Sequence, residues 1–131
     1  MKKQNTQFIK FLIVGAIGTL VNMFFLWLFK SAIGLSLEIS GIAAIEISVI
    51  NNFIINNCWT FKKSTNKSPA CVKFFKYNAS VIIGIGINYA VLLLLTNSGV
   101  FYLLSNFIGI LCATMSNYIF SSKWAWKNHQ A

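Results

Sequence analysis

Two stretches decide the fold: "NNFIINNCWTFKK", Asn51 to Lys63, and "SNYIFSSKWAWK", Ser116 to Lys127. Both write Asn-aromatic-Ile-apolar, two small polar residues, one further residue, then Trp-x-aromatic-Lys. Superposed, Asn52 meets Asn117, Trp59 meets Trp124, Phe61 meets Trp126 and Lys62 meets Lys127, an offset of 65 in a chain of 131 residues. A second echo lies upstream at an offset of 66. "FIKFLIVGAIGTLVN" (Phe8 to Asn22) matches "FFKYNASVIIGIGIN" (Phe74 to Asn88), pairing Lys10 with Lys76, Gly18 with Gly84 and Asn22 with Asn88. The chain reads as two tandem copies of one unit.

Between the echoes lie apolar runs too long for a soluble protein. Phe11 to Phe29 holds no charge and would span about 28 Å as a helix, enough to cross a bilayer core. Similar runs cover Ile39 to Ile55 (with one Glu), Tyr77 to Leu95 and Val100 to Phe120. With 56% hydrophobic and only 10% charged residues, too little polar surface remains to cover a globule in water. Backbone groups within such runs must be satisfied internally, which selects helices. The expected fold is therefore an all-α membrane protein: four transmembrane helices forming two tandem helical hairpins, repeated in parallel. Lys2 and Lys3 before the first run resemble a signal peptide, but its length and its place in the repeat mark it as a retained span.

A net charge of +9 would suggest nucleic acid in a soluble chain; its distribution argues against that. Lys2, Lys3 and Lys10 precede span one, Lys62, Lys63, Lys67, Lys73 and Lys76 lie between spans two and three, and Lys123 and Lys127 follow span four. Lys30 alone falls on the other side. Such asymmetry places the lysine-rich side, with both termini and the central loop, in the cytoplasm of a cell that holds this protein in its cytoplasmic membrane. That side would also attract anionic lipids, at about 1 kcal/mol per nearby lysine. One transmembrane domain is expected over 8–127: repeat 1 at 8–62, a flexible linker at 63–73 carrying the lone Pro69, and repeat 2 at 74–127.

Few residues offer chemistry. His129 sits in the tail, Asp and Arg are absent, and no nucleophile-base pair or phosphate-cradling glycine loop occurs, so no enzyme, cofactor or metal site is expected. Cys58, Cys71 and Cys112 lack metal-ligand spacing and read as reduced thiols. Glu46 stands mid-span, where a charged acid costs about 2.5–3.5 kcal/mol on insertion scales. It should be buried in the bundle, partnered or protonated, as a proton or substrate site or as an interhelical hydrogen-bonding group. Leu111 takes its place in repeat 2. Asn22 and Asn88 read either as seam hydrogen-bonding groups or as substrate contacts. Trp59, Trp124, Lys62 and Lys127 fit an interfacial aromatic belt. Asn52 and Asn56, four apart on one face, exceed what a belt needs and suggest a headgroup site.

These motifs resemble the GtrA-like family of small four-helix membrane proteins, whose hairpins close on N-F-x-x-N-x-x-W-x-F. Asn52, Phe53, Asn56, Trp59 and Phe61 match the first copy; Asn117, Tyr118, Trp124 and Trp126 match the second, with Ser121 in place of an Asn. The family's usual Arg pair before Trp is replaced by Asn57-Cys58 and Ser122-Lys123. The resemblance covers Phe8 to Lys127 and implies a role in cell-surface polysaccharide or teichoic acid glycosylation, moving a polyprenyl-phosphate-linked monosaccharide across the membrane. In that role Glu46, Asn22, Asn88, Asn52 and Asn117 would face the sugar. Trp59, Lys62, Trp124 and Lys127 would form the phosphate rim beside Asn56. A membrane glycosyltransferase is the implied partner, and serving as its non-transporting anchor is the alternative role. A small proton-coupled exporter also has four spans and one membrane Glu, but the lysine asymmetry disfavours it. A second copy of the chain is a candidate partner, since so small a bundle could hardly enclose a route alone.

Overall fold

Helices occupy the apolar runs and continue past them. The computed structural model describes residues 2–127. Helix α1 covers Lys2–Trp27 and ends in a π-helical turn, Leu28–Ile33. Helix α2 covers Leu37–Ile55 and widens into a π turn at Asn56–Thr60. Helix α3 covers Ala70–Asn97, and α4 covers Tyr102–Phe120 with a closing π turn at Ser121–Ala125. All four are long and apolar enough to cross a membrane. No strand occurs among the described residues. His129 lies outside them.

The chain divides into two compact units, 1–62 and 63–131, each one hairpin. A glycine makes each reversal. Gly34 takes φ +85° after α1 and Gly99 takes φ +96° after α3, a left-handed conformation that costs a side-chain-bearing residue about 1–2 kcal/mol. Both stand at the same register, 65 apart. Around them the last carbonyls of the helices are satisfied: Leu35 N–H donates to the Phe29 carbonyl at 2.9 Å, and Val100 N–H to the Leu95 carbonyl at 3.0 Å. The Ser36 hydroxyl then accepts from Ile39 N–H at 3.3 Å and caps α2.

Each hairpin is inside-out by the standards of a soluble protein. The face of α2 turned to α1 reads Ser40, Ala44, Ser48, Asn52, Asn56, Thr60, one small or polar residue every fourth position. In α4 the corresponding stripe is Ser105, Gly109, Ala113, Asn117, Ser121, Ala125. Ser40 and Ser105 are wholly buried, whereas Ile42 and Ile82 on the outer faces are 67% and 68% exposed. In hydrocarbon, apolar side chains gain nothing by leaving lipid, so helices associate where small residues let backbones approach and polar groups can pair. Phe11, Val14 and Gly18 oppose the first stripe; Tyr77, Ser80 and Gly84, each 66 further on, oppose the second.

Glycines mark the closest approaches. A methyl group added to Gly18 would overlap the Asn52 amide, and one on Gly84 would lie 2.6 Å from Asn117 Oδ1. On Gly109 it would meet the Asn88 backbone carbonyl at 2.8 Å. The Ser48 hydroxyl donates to the Gly18 carbonyl at 2.9 Å and ties α2 to α1.

One expectation is corrected here. The segment expected to be a flexible linker is a strap on hairpin two. The Ser64 hydroxyl donates to the Trp126 carbonyl at 2.8 Å, and the Asn66 amide donates to the Ala125 carbonyl at 3.3 Å. Asn66 is only 6% exposed and its Oδ1 accepts from Ser68 N–H at 2.8 Å. The orphan carbonyls of a helix C-terminus need donors, and these residues supply them. Helix α3 also starts inside the expected linker, at Ala70.

Candidate functional site

The lysine-rich end of each hairpin carries the same arrangement. In hairpin one the aromatic close of α2 folds back on the start of α1. Phe61 meets Phe11 edge-on at 6.3 Å between centroids, and Lys10 Nζ lies 5.3 Å from the Trp59 ring centroid. In hairpin two Trp126 meets Tyr77 edge-on at 5.7 Å, and Lys76 Nζ lies 5.8 Å from the Trp124 centroid. The separations are those of cation–π pairs. The inner rings, Phe61 and Trp126, are buried and fix the close of each hairpin; Trp59 and Trp124 remain about two-fifths exposed.

The π turns set this geometry. Each adds one residue to a helical turn, so Trp59 and Trp124 within the turns, and the aromatic residue two positions on, are rotated relative to a straight continuation of α2 or α4. The Thr60 hydroxyl donates to Asn56 Oδ1 at 2.8 Å across the first of them. The Gln7 amide donates to the Thr60 carbonyl at 3.4 Å, while in hairpin two Asn66 serves the equivalent carbonyl of Ala125. Different residues thus satisfy the same orphan group.

Electrostatically the rim is one-sided. Neither Lys10 nor Lys76 has an acidic partner among the described residues. The chain's two acids, Glu38 and Glu46, both lie on α2, at least about 20 Å of helix from Trp59 at 1.5 Å per residue. Hairpin two contains no Asp or Glu at all.

The residues expected from sequence to form the site fall into three groups. Trp59 and Trp124 are in the rim, with Lys62 and Lys127 exposed beside them. Asn52 and Asn117 belong to the seams, against Gly18 and Gly84. Their Oδ1 atoms, and that of Asn88, are buried without a hydrogen-bond partner among the described residues. Asn56 is buried and engaged with Thr60, and Asn22 is half-buried.

Glu46 stands apart: of the outcomes expected of it, buried, partnered or protonated, burial is not the one the structure shows. It is exposed on the outer face of α2, between Ile42 and Ile50. The small-residue stripe sets that orientation: Ala44 and Ser48 turn inward, so position 46, about 200° from Ala44 at 100° per residue, turns out.

Sequence reasoning missed Lys10 and Lys76 as rim residues. The signal was available, because both copies keep that lysine together with the tryptophan it covers.

Comparison with known proteins fits this architecture. Residues 10–127 match the family described as GtrA/DPMS, transmembrane domain. A dolichol-phosphate mannosyltransferase of Pyrococcus furiosus is 36% identical over 118 residues, covering 90% of this chain and 33% of that protein. The chain therefore spans about a third of the length of that relative. A four-helix chain matched from Lys10 through Lys127 belongs to the GtrA/DPMS transmembrane-domain family.

Proposed function

We propose that this chain carries a polyprenyl-phosphate-linked monosaccharide across the cytoplasmic membrane, from a lysine-rich cytoplasmic face toward synthesis of a surface glycan. The observation that carries this reading is the rim: a partly exposed tryptophan beneath a lysine that has no acidic partner among the described residues. An ammonium group held at headgroup depth without a counter-ion suits a lipid phosphate. An indole beside it offers the flat apolar surface on which a sugar ring packs. Glu46, outward on α2 amid isoleucines, supplies a polar group where a sugar would otherwise meet only hydrocarbon. Family membership supports the lipid class, since the mannosyltransferase relative is named for dolichol phosphate.

The test is reconstitution of the purified protein into vesicles that carry a labelled polyprenyl-phosphate sugar and no glycosyltransferase. Protein-dependent exchange of the lipid between leaflets is expected. A folded, oriented preparation that moves none would overturn the carrier role.

A second reading has its own support. In the Pyrococcus relative, the matching region is a third of a mannosyltransferase. A chain of this kind acting as the membrane anchor of a separate glycosyltransferase would bind that enzyme at its lysine-rich face. It would raise the enzyme's activity in vesicles without moving lipid.

A further inference from the structure

We propose that each hairpin is a complete clasp for one phosphate headgroup, so that the chain holds two lipid phosphates at once. The inference rests on the reading above that the rim receives a lipid phosphate, and adds that there are two such rims, each self-sufficient.

The two halves of the chain are two independent samples of one unit. Much has diverged between them: Val14 against Ser80, Ala44 against Gly109, Ser48 against Ala113, Phe61 against Trp126. Two of the contacts kept residue for residue join opposite helices. Gly18 with Asn52 and Gly84 with Asn117 hold the seams by close approach. Lys10 with Trp59 and Lys76 with Trp124 lie at the rim, 5.3 and 5.8 Å from ammonium to ring centroid. An interfacial belt requires Trp and Lys at similar depth, but not that a lysine from one helix lie over a tryptophan from its neighbour, twice.

Charge identifies what the clasp takes. With eleven lysines and two acids, both acids on α2 and no acidic partner for Lys10 or Lys76 among the described residues, an anionic ligand is the complementary occupant. Three ammonium donors above an aromatic platform suit the oxygens of a phosphate group, with Lys62 or Lys127 exposed nearby for further charge. Lys10 and Trp59 both come from residues 1–62, and Lys76 and Trp124 from 63–131. Neither clasp borrows a rim residue from the other hairpin, so each Lys–Trp pair is complete within its own unit.

Native mass spectrometry of the detergent-purified full chain tests this, with a short polyprenyl phosphate, phosphatidylglycerol and inorganic phosphate as separate probes. Two polyprenyl phosphates are expected per chain. Lys10→Gln and Lys76→Gln, which keep most of the side-chain stem, should each weaken one site roughly tenfold and leave one lipid bound; the double variant should hold none. Lys10→Arg should restore the lost lipid, which a folding defect would not allow. One lipid on the wild type, or two surviving in the double variant, would overturn the paired clasps. Two phosphatidylglycerols with no polyprenyl phosphate would support the clasps and overturn the carrier reading. One polyprenyl phosphate, lost in one Lys variant alone, would overturn the pairing and leave that reading standing. Occupancy by inorganic phosphate alone would count against any lipid-specific clasp.

Discussion

At the scale of single residues, glycines report how the seams close. Gly15 and Gly86 have nothing within 4 Å of an added methyl group, while Gly109 faces the backbone of Asn88. Gly18 and Gly84 face Asn amides, which can swing aside at the loss of their seam position. Gly109→Ala is therefore expected to destabilise the protein in detergent by about 1–3 kcal/mol, more than Gly84→Ala. Gly15→Ala and Gly86→Ala should be neutral or mildly stabilising through helix propensity. Denaturation midpoints of the purified variants check the order. Glu46 invites a separate test: an exposed acid on an apolar helix face has no packing reason for its charge. Glu46→Gln is expected to leave the folded yield unchanged and abolish protein-dependent lipid exchange in vesicles. Full exchange in that variant would remove Glu46 from the carrier role. Its mid-span position was legible in the sequence, but its direction was not. Hydropathy locates a residue along a helix, whereas its azimuth followed from Ala44 and Ser48, whose burial in a membrane hairpin inverts the apolar-inside rule.

At the scale of elements, the four helices were legible because a predominantly apolar run of bilayer length, even one holding Glu46, admits almost no other structure. The π turns at Asn56–Thr60 and Ser121–Ala125 were not. They add one residue to a turn, a change of hydrogen-bond register that leaves no mark on composition. The strap at Ser64–Ser68 was misread for a related reason. Ser, Asn, Lys and Pro describe a loop, but the same side chains are donors, and the end of α4 offers two unsatisfied carbonyls. Asn66→Ala should free the Ala125 carbonyl, costing about 1 kcal/mol and loosening the strap. Limited trypsin digestion reads this directly at Lys63 and Lys67. Cleavage there is expected to accelerate roughly fivefold, as about 1 kcal/mol implies for a fast opening equilibrium. An unchanged rate would mean that Ser64 and its bond to Trp126 hold the strap alone.

At the scale of the whole molecule, the lysine distribution makes an orientation argument that the helices alone cannot. Ten lysines on one side and one on the other are expected to bias insertion so that the richer side stays in the cytoplasm. The short reversals at Gly34 and Gly99 carry too little charge to oppose it. Two native cysteines serve as reporters, because Cys58 and Cys71 are exposed and free, one just before the central lysine-rich segment and one within it. Cys112 sits within α4 and is removed as Cys112→Ser to clear the background. A membrane-impermeant maleimide should then label inside-out vesicles and spare intact, right-side-out cells until they are permeabilised. A cysteine placed at Ser98, in the second reversal, should show the opposite pattern. Labelling of Cys58 from outside would invert the molecule and put both Lys–Trp rims on the outer leaflet. A carrier would then receive its lipid on the side where the sugar is used, and the cytoplasmic loading proposed here would fail. Equal labelling from both sides would show dual insertion, which this lysine asymmetry is expected to prevent.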